Sequence, residues 1–327
     1  MTVETPAAAA EQTRGRPSHV ALTVSVLAVA IAVTAQATMT TDPGAHQPAE
    51  LLATVLRVLS YLAAAGTVGT LAVALLVAPE SREDTTSTTG YADAATVWAV
   101  AWSAVSLLSA GAMMIRSSGG DAVLHTGEHA FSVIDGLAGI AILTAWAAGT
   151  VALLTHARRR GLLPWAYVVG LAGLAGLVLS GHSAEADRWG WALLSIGLHV
   201  AAIAAWFGGL VALALRAVRV VPTPAQLRRF SSLALVGFLV VGGSGVLNAV
   251  TRMSWAQLTE SGAYAFLLLT KVAVFGLLGV AGAVHRSRSI AWLEGGRAHG
   301  FWLLVAGELV LLTSATGLGV VLARTGP

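Results

Sequence analysis

The sequence predicts an all-α, polytopic membrane helix bundle of about nine transmembrane helices, or eight if the first is removed as a signal. Three observations carry this. Of 327 residues, 56% are hydrophobic and only 11% charged, and the mean hydropathy is +0.77. Hydrophobic runs long enough to cross roughly 30 Å of hydrocarbon recur along the whole length. The longest connections between them, about 80–93 and 116–130, are too short to fold alone.

The spans read 20–39, 51–78, 94–115, 131–156, 162–182, 191–217, 228–251, 262–286 and 299–323. Each must be helical, because lipid offers an exposed backbone no hydrogen-bond partners. The first span has two readings. A basic leader, an apolar run and "AQA" at 35–37 describe either an uncleaved anchor, which is favoured, or a secretory signal. Pro79, Pro164, Pro222 and Pro224 fall in or beside connections, as helix breakers should. Glycines at 170, 173 and 176, and "GGSG" at 242–245, which reads as an interruption of the seventh span, are small-residue patterns that let helices approach closely in lipid. No internal repeat is evident. Three parts are expected: a cytoplasmic tail with the first helix (1–50), the N-terminal helices of the bundle (51–182) and a four-helix membrane unit (183–327).

Charge sets the orientation. With the N-terminus cytoplasmic, thirteen arginines fall in inner segments, against Arg116, Arg188, Arg252 and Arg324 outside. That asymmetry predicts N-terminus in and C-terminus out. The basic pI of 9.8 therefore reflects membrane topology and not nucleic-acid binding. With no cysteine there is no disulfide, iron–sulfur cluster or thiolate metal site. No P-loop motif is present and no segment has room for a nucleotide domain, so neither ATP use nor enzymatic activity is expected.

The polar side chains inside this topology are unevenly placed. Met39, Met113, Met114 and Met253 all fall at outer ends or in an outer loop, as do or nearly do His46, His125, His129, His182 and His199. Thioethers suit Cu(I) and imidazole suits copper and zinc, so an outward His/Met set without cysteine fits copper handling. A chance distribution of so few methionines is the competing explanation. "HTGEH" puts His125 and His129 at i and i+4, a metal-ligand pair if helical, a solvated polar loop if not. His182 ends the fifth span, and His199 lies roughly 12 Å into the sixth from the same side. A polar group at that depth faces protein or a cavity. The two imidazoles are expected to approach each other, with Asp135 as a carboxylate ligand or supporting acceptor. A histidine that only hydrogen-bonds a neighbour is the plain alternative.

Lys271 and Glu308 are each roughly 13 Å from their own interface, so an ion pair between them is expected, as a structural clasp or part of an ion path. Arg57 is expected to pair with Asp135. Trp189, Trp191 and Trp255 at the outer side and Trp165, Trp292 and Trp302 at the inner form interfacial belts, whereas Trp206 shares the His199 face deeper in the membrane.

The second half resembles the copper resistance protein D family of bacterial inner-membrane proteins. The resemblance runs through "SGHS" (180–183), "LHVAAIAAWFGGL" (198–210), "RRFSSLAL" (228–235), "SGVLNAV" (244–250), "GAYAFLLLTKV" (262–272) and the glutamate of "LVAGELVLL" (304–312). Residues 56–79 look like the family's opening helix. The resemblance implies a permease-like protein that moves copper across the cytoplasmic membrane or helps to, and makes 183–327 its four-helix domain. It points to His182, His199, Trp206, Asn248, Lys271 and Glu308. "VHRSR" departs from it, with His285 where asparagine is expected.

The leading expectation is thus copper permeation: capture by His125, His129, Met113 and Met114, transfer to His182 and His199 with Asp135, then passage by Trp206, Asn248, Lys271 and Glu308. Two other readings stand beside it. One is a b-type haem or quinone-linked redox protein, since histidines on neighbouring helices also hold haem. The other is a membrane subunit that docks a periplasmic copper-binding protein.

Overall fold

The computed structural model describes residues 48–78, 85–117, 133–179, 189–252, 262–294 and 298–325. These form eight long helices: α1 (Pro48–Ala72), α2 (Thr85–Ser117), α3 (Val133–His156), α4 (Leu163–Leu179), α5 (Trp189–Ala217), α6 (Pro224–Arg252), α7 (Gly262–Glu294) and α8 (Ala298–Thr325). A π-helical turn, Val73–Val77, extends α1, and a 3-10 turn, Arg160–Leu162, leads into α4. All eight are long and apolar enough to cross a membrane. The span expected at 20–39 lies outside the described residues.

Helix ends follow local chemistry. Ahead of α6, the Thr223 amide donates to Gln226 Oε1 (3.1 Å) and the Gln226 amide donates to Thr223 Oγ1 (3.2 Å). This reciprocal pair, with Pro224 as the first helical residue, is a capping box that starts the helix without an orphan amide. Helix α3 ends where Arg158 takes a left-handed conformation (φ 52°), and its guanidinium reaches Asp93 on α2 at 2.9 Å. Two helices outrun their expected spans: α2 begins at Thr85 and α7 continues to Glu294. Hydropathy registers only the part of a helix inside hydrocarbon, and these polar turns project beyond it. The "GGSG" segment does not interrupt its span, because α6 is continuous from Pro224 to Arg252.

The helices pack as two adjoining rings of four. In the first, α1, α2, α3 and α4 touch in sequence and α4 returns to α1; in the second, α5, α6, α7 and α8 do the same. The rings join where α1 meets α5, with α4–α5 and α1–α8 contacts beside that seam. Helix α1 is the core of the assembly: 83% of its membrane window is buried inside the protein, against 11% for α7, which is left to face lipid.

Glycine makes the seam. A Cβ on Gly69 would strike the backbone of Gly208 and Gly209, and one on Gly208 would strike the Ala65 carbonyl. Lipid tails are as apolar as leucine, so helices associate in a bilayer through close van der Waals contact, which small residues permit. The glycines of α4 serve similarly. Gly170 faces Val68, Gly173 faces Trp102 and Gly176 faces Thr144, so the stripe locks α4 onto α1, α2 and α3.

Gly208→Ala is expected to cost about 1–3 kcal/mol through overpacking. Gly139→Ala, where an added Cβ meets nothing within 4 Å, should stay within about 0.5 kcal/mol of wild type. Unfolding in detergent measures both.

Candidate functional site

Two cavities lie toward opposite ends of the second ring's helices and share no lining residue; the outer one lies between the rings, with α1 and α4 in its wall. The outer one, about 130 Å³, has His199, Asn248, Tyr264, Lys271 and Thr316 as its polar lining, with Tyr61 from α1. The inner one, about 580 Å³, is lined by Trp206, Phe238, His285 and Glu308, with Arg228 and Arg286 exposed near its rim.

His199 is buried and its ring is fixed by α6. Its Nδ1 lies 3.0 Å from Ser244 Oγ. That hydroxyl already donates to the Val240 carbonyl at 2.5 Å, so its oxygen accepts from the imidazole. The Ser195 hydroxyl donates to the Ser244 carbonyl at 2.7 Å and ties the same turn to α5. With Nδ1–H committed, the Nε2 lone pair is the ring's remaining ligand position. Gly245 of α6 lies beside the ring, where a Cβ would make an ordinary 3.8 Å contact with His199 Cε1. Lys271 is near enough to act electrostatically on His199, and a Cβ on Gly319 would come within 3.2 Å of its Nζ.

Between the cavities stands an aromatic partition. Trp206 meets Phe238 edge-on at 6.0 Å, and Phe238 stacks on Phe275 at 4.3 Å. Each rests on a glycine of the facing helix: Trp206 on Gly237, Phe238 on Gly279 and Phe275 on Gly242. The glycines are sockets, since any Cβ there would come within 3.0–3.1 Å of the aromatic side chain. Trp206, expected on the His199 face, belongs to this partition and to the inner cavity.

The expected Lys271–Glu308 ion pair is not made. Helices α7 and α8 run antiparallel, and their register sets Lys271 opposite Gly319 and Glu308 opposite His285. His285 Nδ1 lies 3.1 Å from Glu308 Oε2, with Phe301 edge-on to the imidazole at 5.8 Å. Lys271 and His285 are fourteen residues apart on one helix, about 21 Å of axial rise. Depth along each helix puts both charges well inside their spans, but the register separates them: Gly319, which stands by Lys271, is eleven residues beyond Glu308 on α8, about 16 Å of axial rise. The sequence marks His285 as a departure from the resemblance and, with His156 and His299, as an inner-side candidate for haem; its position within antiparallel reach of Glu308 was the available signal for this contact. Ser244 and Ser195 had no signal, because serine in a membrane helix usually bonds its own backbone.

Other expected ligands do not join these cavities or lie outside the description. Met113 and Met114 stand at the outer end of α2, which lines neither cavity. His125, His129 and His182 lie outside the described residues. Asp135 is in α3, but its side chain lies outside them, so its expected approaches to His199 and Arg57 do too. Among the described residues, no three His, Asp or Glu side chains gather as a metal cluster. His199 and His285 line different cavities and so are not brought together as an axial haem pair.

A double-mutant cycle in detergent tests the register. Glu308→Gln with His285→Asn should show about 0.5–3 kcal/mol of coupling, and Glu308→Gln with Lys271→Met should be additive within about 0.5 kcal/mol. Coupling confined to the lysine pair would contradict the geometry.

Residues 224–322, which run from the first residue of α6 into the last turn of α8, match the family model described as copper resistance protein D. No curated protein and no solved structure matches the chain. The matched segment supplies Asn248 and Lys271 to the outer cavity, His285 and Glu308 to the inner one, and Ser244 as the partner of His199, which α5 brings to the outer cavity from outside the match. The chain is a multi-pass helical membrane protein whose C-terminal third is similar to copper resistance protein D.

Proposed function

We propose that this protein carries copper across the bacterial cytoplasmic membrane through its second helix ring, with His199 as the ligand in the outer half. The observation that carries the reading is the committed Nδ1 of His199. Ser244 holds the ring so that Nε2 is left as a donor in a buried cavity, the arrangement that orients a metal-binding imidazole. The match of residues 224–322 to copper resistance protein D supports copper as the cargo in this reading. In this reading His125, His129, Met113 and Met114 gather copper outside, and His182 and Asp135 deliver it to His199.

Lys271 sets the character of the site. Its ammonium beside a bound cation opposes retention, so the outer cavity is a place of transit and not of storage. Conduction requires binding that is favourable enough to admit an ion and weak enough to release it. The partition of Trp206, Phe238 and Phe275 then has to part before the ion reaches the inner cavity. The sequence carries no P-loop motif, and in this reading the movement is passive or coupled to another ion.

Copper content per chain tests the reading in purified protein loaded with Cu(I). His199→Ala should lose about one copper relative to wild type, as one site with one essential imidazole requires. Equal loading in both would remove the metal from this cavity. Lys271→Met should tighten the His199 site by about tenfold, equal to about 1.4 kcal/mol of relieved like-charge repulsion. Competition against a Cu(I) chelator reads the change, and unchanged or weaker binding would contradict the role given to the lysine.

A further inference from the structure

We infer that the inner cavity is a cleft for one anionic phospholipid of the cytoplasmic leaflet, with its phosphate held between Arg228 and Arg286. The inference does not depend on the copper reading, since it concerns the surface where the protein meets its own bilayer.

The cavity is an interhelical cleft. Apart from Trp206 on α5 and Glu308 on α8, its whole lining comes from α6 and α7. Those two exceptions are each buried and form the back wall. Helix α7 is the most lipid-facing of the eight, with 11% of its membrane window buried, so acyl chains lie along the cleft's open edge. The cleft holds about 580 Å³, the size of a small-molecule pocket, and its polarity changes along the helix axis. Arg228 on α6 and Arg286 on α7 stand at the end that the arginine count places at the cytoplasm. Ser231 and Ser232 follow one turn deeper on α6. Below them the walls are apolar, down to Phe238 on α6 and Leu278 on α7. Arg228 to Phe238 spans ten residues and Arg286 to Leu278 eight, about 15 and 12 Å of axial rise. A cleft that is cationic at the membrane surface and apolar below it fits an anionic head on a hydrocarbon tail. A soluble anion would make no use of the apolar depth.

Arginines at this end of a membrane helix are expected for orientation alone. These two differ in flanking a cleft from its two sides. Among the described residues neither is paired with a carboxylate: Asp93 is taken by Arg158, and Glu308 by His285. Arg286 donates to Ser231 Oγ at 3.4 Å, which draws its guanidinium across the mouth toward α6 and leaves its other N–H groups for a ligand. A guanidinium presents five donors in a planar fork that matches two phosphate oxygens. Both side chains are exposed, so a headgroup reaches them from the interface. Basic pockets between membrane helices on the cytoplasmic side select anionic headgroups in this way. Glu308 is the opposing charge of the lining. It is 5% exposed and already engaged by His285 at 3.1 Å, whereas the two guanidiniums stand at the surface that the phosphate occupies.

The test is native mass spectrometry of the full chain, released from micelles holding equal amounts of phosphatidylglycerol and phosphatidylcholine with matched acyl chains. Wild type should retain one phosphatidylglycerol, preferred over phosphatidylcholine by about tenfold. Arg228→Gln combined with Arg286→Gln should abolish that preference. Arg219→Gln removes an exposed arginine at the same end but outside the cleft, and should leave it unchanged. Gly282→Leu tests the seat of the tail. A Cβ on Gly282 meets nothing within 4 Å, so the new side chain fills the cleft while both arginines stay. Retention of phosphatidylglycerol should fall by about tenfold, as loss of contact with roughly two methylenes does. Equal retention of the two lipids by wild type, or an unchanged preference in the double arginine variant, would overturn the proposal. Unchanged retention in Gly282→Leu would overturn it as well, because the lipid would then be held by surface charge alone.

Discussion

Helices α1 and α5 meet backbone to backbone, and the functional geometry follows from that contact. Gly69 sits against Gly208 and Gly209 so closely that no side chain fits between them. Lipid supplies no hydrophobic force to press helices together, so this approach must come from shape. Once α1 and α5 are joined, α5 is fixed in rotation. His199, nine residues before Gly208, is turned toward α6 and into the outer cavity; Trp206, two before it, is turned toward the partition. A looser seam would let α5 rotate and lose both.

The same device recurs one layer out. The partition aromatics of α5, α6 and α7 are each seated on a glycine of a facing helix. Above the partition, a neutral hydroxyl orients one imidazole beside a lysine; below it, a carboxylate orients the other. Polar groups at such depth are costly, and each is set in a cavity where a second polar partner has room.

Much of the fold was legible in the residues. Eight spans were read within a few residues of their apolar sections, because bilayer thickness fixes how long an apolar run must be. The glycine stripe of α4 was read as close helix contact and is one. His199 and Lys271 were recognised as polar groups at depth, and both line the outer cavity. What sequence could not supply was register between helices. Depth along one helix is a count of residues, but which residue of α8 stands beside Lys271 depends on how α7 and α8 slide and rotate against each other. That is why Lys271 was matched with Glu308, when Gly319 lies opposite it and His285 stands by the glutamate. Ser244 escaped for a related reason: its hydroxyl bonds its own helix, and its second role exists only because α5 comes within 3.0 Å.

The central claim is that copper crosses the membrane past His199, and flux measures it more directly than binding does. Proteoliposomes carrying the full chain, with a Cu(I) indicator sealed inside, would be compared with liposomes carrying His199→Ala protein of equal thermal stability. The account predicts uptake above the lipid-only rate for wild type and uptake at that rate for the variant. Equal uptake by both proteins, or none by wild type, would contradict it.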